Sequence, residues 1–143
     1  MIDAGEVRRR LVHRIERARK DAARRRTEVD AAARALPEFL DRVAAPVARL
    51  FVGALRAEGH LFSLSTPADA VRIVSDRSSD DFLELALDTD ATPITIVGRT
   101  SLTRGRRLLT GERPLVEGKP LEALTQEDVL DFLLEEIGPF LVR

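Results

Sequence analysis

DAGEVRRRLVHRIERARKDAARRRTEVDAAARALP, residues 3–37, holds no glycine after Gly5 and no proline before its last residue. Ala, Arg and Glu dominate it, and all three are strong helix formers. Spaced at 100° per residue, Val7, Leu11, Ile15, Ala18, Ala22, Val29, Ala33 and Leu36 fall in one narrow stripe, interrupted only by Arg25. Most of these positions also fit a heptad of alternating threes and fours, the spacing of a coiled-coil seam. Acids placed four residues before bases (Glu6/Arg10, Glu16/Lys20, Asp21/Arg25) suit an exposed helix face. The stretch therefore reads as one long helix.

Pro37 is expected to kink that helix and to start a second one as its first residue, because proline lacks an N–H and pushes Leu36 away from helical geometry. The second helix runs through Phe39, Leu40, Val43, Val47, Leu50, Phe51, Ala54 and Leu55, with Pro46 as a further bend and Gly59 as its stop.

Beyond Gly59 the period changes. Residues 71–76, 81–88 and 93–99 are short runs rich in Val, Ile and Leu, separated by turn-forming Ser, Asp and Thr. They read as an antiparallel meander. Residues 61–65 offer a strand before it, and residues 106–110 and 113–116 a hairpin turning at Gly111-Glu112, with Pro114 confining its arm to an edge. Thr125 followed by Asp128 has the spacing of a capping box and opens an apolar helix through Val129, Leu130, Phe132, Leu133, Leu134 and Ile137, closed by Gly138-Pro139. The fold class is α+β, divided into a helical region at 1–58 and a small α+β domain at 59–143.

The net charge of −1 conceals a segregation. Residues 8–26 hold ten Lys and Arg against two acids, a balance of +8, and the rest of the chain holds thirteen against twenty-two, a balance of −9. Residues 121–142 contain six acids and no base. A basic rod of this kind offers phosphate contacts through Arg8, Arg9, Arg10, Arg14, Arg17, Lys20 and Arg24, supplemented by Arg99, Arg104, Arg106 and Arg107. The plainer reading of the same residues is the solvated exterior of a coiled coil. Insertion at a membrane surface is disfavoured, because three of the eight residues of the apolar stripe are alanine.

Chemistry leaves few marks. With no cysteine, disulfides, thiolate catalysis and cysteine-held metals are excluded. There is no phosphate-binding glycine loop, since Gly105 stands alone, and no G-x-S-x-G. A Ser/His/Asp site would have to recruit His60 with Ser63 or Ser65 and Asp69, and the pairs Asp80/Asp81 and Asp88/Asp90 sit where aspartate commonly serves a turn. Glu84 shares a strand face with Phe82 and Ala86, so it is either a buried acid or part of a solvated face.

No cofactor, catalytic residue or metal ligand is expected. No run approaches the length of a membrane span, and a cytoplasmic location is the default reading. A helix of some 33 residues spans about 50 Å, whereas a compact unit of eighty residues is about 30 Å across. The helix must overhang, and its stripe must find a cover. The first expectation is a non-enzymatic, homo-oligomeric interaction or scaffold protein, a dimer most simply, joined through Val7, Leu11, Ile15, Ala18, Ala22, Val29 and Leu36. Folding back on the second helix and docking on an acidic protein surface are the other covers open to the stripe. The alternatives are a nucleic-acid-binding protein using the basic helix and a small-molecule binder or enzyme without a recognisable motif.

Overall fold

In a computed structural model, which describes residues 1–142, Asp3 caps the first helix by accepting the Glu6 N–H at 2.8 Å, and α1 then runs Ala4–Phe39. The helix passes through Pro37 without a break. The irregularity comes three residues later, as a π turn at Leu40–Ala44 in which the Ala45 N–H reaches back to the Leu40 carbonyl. One extra residue per turn there rotates the buried face before α2, Ala45–Ala57, begins. The second helix thus starts eight residues after the expected Pro37. Proline's lost N–H is tolerated inside the rod, and the change of direction is taken up by the π turn.

Pro46 occupies the first turn of α2 and cannot donate to the carbonyl four residues back, that of Arg42. Gln126 Nε2 fills the vacancy at 3.0 Å. At the far end, Gly59 adopts φ +86° and α2 closes with the His60 N–H on Leu55 O (2.8 Å) and the Gly59 N–H on Arg56 O (3.0 Å), a Schellman arrangement.

Five strands follow as an antiparallel meander in sequence order: β1 Phe62–Ser65, β2 Ala70–Ser75, β3 Phe82–Asp88, β4 Thr95–Arg104 and β5 Arg107–Pro114. The last hairpin turns at Gly105-Arg106, not at Gly111-Glu112, because Gly105 (φ +63°) supplies the positive φ that a two-residue turn needs. Gly111 lies inside β5, where a Cβ would come within 2.8 Å of Thr100 Oγ1. Pro114 ends this edge strand as its missing N–H requires.

One face of the sheet carries the core: Val71, Ile73, Leu83, Leu85 and Ile96 pack with Ala32, Leu36, Phe39, Ala44, Val47, Ala48 and Leu55 of the helices. Within the helical region at 1–58, residues between Ala32 and Leu55 share this core. Across it lies α3, Gln126–Glu136, opened by the expected capping box of Thr125 and Asp128 and followed by the short α4, Gly138–Leu141. Phe132 sits directly over Gly98 of β4, where a Cβ would meet its ring at 2.2 Å. The Arg113 guanidinium covers the same ring at 4.7 Å and is held by Glu135 and Glu136, each at 2.7 Å. Val129, Leu133 and Ile137 are buried beside Phe132, while Leu134 remains exposed.

Candidate functional site

The unusual surface is the first half of α1. From Asp3 to Arg24 every residue is exposed except half-buried Glu6, and the apolar ones include Val7 (52%), Leu11 (56%), Val12 (45%) and Ile15 (39%). Arg25 marks where the body begins. Its guanidinium donates to the Thr89 carbonyl and, at 3.0 Å, to the Ala91 carbonyl in the loop between β3 and β4. The one charge that interrupts the apolar stripe is thus the residue that clamps the helix to the end of the sheet. Residues 4–24 project about 31 Å beyond this clamp at 1.5 Å per residue.

The stripe is shared between two environments. Leu36 is buried in the chain's own core and Val29 packs against it, so neither is free to meet another chain. Val7, Leu11, Ile15, Ala18 and Ala22 lie on the exposed arm. The arm's acids are few: Glu6 pairs with Arg10 at 2.7 Å, and Asp21 with Arg24 at 2.8 Å instead of with the clamped Arg25. Arg8, Arg9, Arg14, Arg17, Arg19 and Lys20 form no salt bridge among the described residues.

The second basic group lies elsewhere. Arg104, Arg106 and Arg107 form the tip of the β4–β5 hairpin, with Arg104 donating to the Pro139 carbonyl at 3.4 Å. The arm leaves the body at the other end of β4, about 30 Å away along ten residues of strand. Arg99 is engaged in the middle of the sheet.

There it joins an arrangement that sequence spacing does not reveal. Strand register aligns Arg72, Glu84, Arg99 and Glu112 in one row across β2, β3, β4 and β5 on the face opposite the core. Glu84, only 6% exposed, is the buried acid of the two readings above. It accepts from Arg72 Nε at 2.7 Å and from Arg99 Nη1 at 3.3 Å, and Arg99 Nε reaches Glu112 at 3.2 Å. Burial works against the charge of Arg99, but its bonds to Glu112 and Glu84 outweigh this and raise its pKa above the ordinary arginine value. Arg72 also stacks on Phe82, 4.1 Å from the ring centre. The only signals in the sequence were single charged residues at mid-strand. The shallow groove beside the row, about 440 Å³ and bordered by Ala33, Leu36 and Asp69, is walled by charges already satisfied by one another.

The other residues weighed for catalysis do not converge. Ser63 Oγ bonds Asp76 at 2.5 Å, with Arg56 joining them, while His60 precedes β1 and Asp69 lies beyond its other end. Asp81 accepts the Thr103 N–H of β4 at 2.7 Å, tying the start of β3 to its neighbour, and Asp88 accepts the Asp90 N–H at 2.9 Å, the local bond of a turn aspartate. Among the described residues no group of three or more potential ligands could hold a metal ion, and no helix is long and apolar enough to cross a membrane.

Comparison with protein-family models, with curated proteins and with solved structures finds no match.

Proposed function

We propose that this chain is a non-enzymatic assembly protein of the cytoplasm, joined to copies of itself through the projecting arm of α1, with the α+β body presented outward. The observation that carries this reading is the exposed stripe of Val7, Leu11 and Ile15, with Val12 exposed on its flank, on a helix that has already left its own domain. Apolar residues in one contiguous line on an unsupported rod are an association surface, because burying them removes their area from water at about 25 cal/mol per Å². Sedimentation velocity tests it. The full chain should sediment as an oligomer at micromolar concentration, and Leu11→Glu with Ile15→Glu should return it to a folded monomer. A wild-type chain that stays monomeric at high micromolar concentration ends the proposal.

A second reading rests on a different observation, the cations of the arm that lack acidic partners. Guanidinium groups displayed along a 31 Å rod suit a nucleic-acid backbone, and such binding weakens steeply with salt because condensed counterions are released. Titrating a duplex oligonucleotide at rising salt is the check, and a complex indifferent to salt, or none at low salt, removes this reading.

A further inference from the structure

Resting on the assembly reading, we infer that the arms pair antiparallel into a closed two-fold dimer, with the axis beside His13 and one body at each end. Three features lead to this arrangement.

The first is steric. The helical face that carries Leu11, Ile15, Ala18 and Ala22 on the arm is the face that carries Val29, Ala32 and Leu36 farther along, where it is buried against the sheet and its loops. A heptad seam on a straight helix drifts by only about 20° per repeat, so the body protrudes on the side toward which the stripe points. Packed helices lie about 8–10 Å apart. In a parallel pair the two bodies would therefore claim the same space. Antiparallel arms place each body beyond the tip of the other arm.

The second is register. The free arm is bounded by the cap at Asp3 and the clamp at Arg25, and strict heptad spacing through Leu11 and Ile15 gives it the inward positions Ala4, Arg8, Leu11, Ile15, Ala18 and Ala22, with Val7 on the flank beside Arg8. Laid antiparallel over its full length, this seam sets Leu11 against the partner's Ile15 on both sides of the axis, Arg8 against the partner's Ala18, and Ala4 against the partner's Ala22. The bulky residues meet at the centre and small ones at the ends, where alanine permits close approach. Val12 meets the partner's Val12 on one flank, which accounts for an exposed valine outside the narrow stripe.

The third is charge. A parallel pair stacks Arg8 on the partner's Arg8 within the seam, aligns Arg14 with the partner's Arg19, and sets the two acidic bodies side by side. The antiparallel pair avoids all three. On its flank Arg14 faces the partner's Arg14 toward water, where salt screens the repulsion between the two basic arms. The interface uses the same patch on both chains and closes at two.

The chain has no cysteine, so a single introduced cysteine carries a spin label at a unique position. Pulsed dipolar spectroscopy on full-length His13→Cys and Arg24→Cys, both outward-facing on the arm, distinguishes the geometries. Antiparallel pairing puts the His13 labels about 20 Å apart, the width of two packed helices, and the Arg24 labels at least about 33 Å apart, since 22 residues of helix separate them axially. Short distances at both positions would mean a parallel pair and overturn the inference. A long distance at His13 would mean that arms do not pair with arms, and would overturn it equally. A monomer in sedimentation would instead remove the assembly reading itself.

Discussion

Residues 4–24 and residues 25–39 belong to one helix and follow one stripe, yet in the first set the stripe stands in water while in the second it is buried at Ala32, Leu36 and Phe39. Local sequence does not separate them, because both halves are rich in alanine and arginine and both keep the same periodicity. What separates them is the length of the sheet. Arg25 reaches the last backbone the body offers, at Thr89 and Ala91, and beyond it the helix has nothing to lie on. A continuous amphipathic helix can thus be core at one end and interface at the other.

The sharpest way to break this comparison is to truncate the same residue type in each half. Leu36→Ala should cost about 2–5 kcal/mol of unfolding free energy in urea titration, the range for a buried leucine. Leu11→Ala should leave a chain studied at monomeric dilution with unchanged stability. Equal effects would mean that the arm folds back on the body in solution.

The close packing of the body offers the next contrast. Gly98→Ala drives a Cβ into the buried ring of Phe132 and should cost about 1–3 kcal/mol, read as a lowered thermal midpoint. Gly53→Ala, with nothing within 4 Å on an exposed face of α2, should raise stability by about 0.5–1 kcal/mol through helix propensity. Arg25→Ala tests the boundary itself. Losing two bonds to loop carbonyls from a partly exposed guanidinium should cost about 1–2 kcal/mol and speed amide exchange in the β3–β4 loop and the adjoining turns of α1.

A further small effect concerns the cap that opens α3. Lys119 bonds the Asp128 carboxylate at 2.6 Å and, with bonds from Thr125 and against some desolvation, holds its pKa below the ordinary aspartate value. Because the folded-state pKa is the lower one, the stabilisation is complete above the unfolded-state value, about pH 4, and is lost as pH falls through the folded one. Asp128→Asn should cost about 1 kcal/mol at neutral pH, and the difference from the parent chain should vanish in acid unfolding curves below that window.

Much of the fold was legible because its signals are local. The Thr125 and Asp128 cap, the Gly59 stop and the strand runs at 71–76 and 81–88 each depend on neighbours within a few residues. The hairpin turn reads at Gly111 in the sequence but belongs to Gly105, since a glycine needed for positive φ and a glycine needed for a close approach to Thr100 look alike in one dimension. Pro37 was overweighted, because the π turn that absorbs the change of direction has no sequence mark of its own. On the candidate surface, Val7 to Ala22 followed from periodicity. The internal use of Val29 and Leu36, and the task of Arg25, depended on where the sheet ends.

The row of Arg72, Glu84, Arg99 and Glu112 has a consequence for how the sheet assembles. Side chains alternate between faces, so a slip of β3 by one residue would carry Glu84 into the apolar layer and expel Leu83 and Leu85 into water. The misaligned sheet would hold an unpaired ion where the aligned one holds a satisfied acid, a penalty well above the gain from any single surface pair. Four charges on the face away from the core thus penalise a one-residue slip of the strands beyond what the hydrophobic pattern alone imposes.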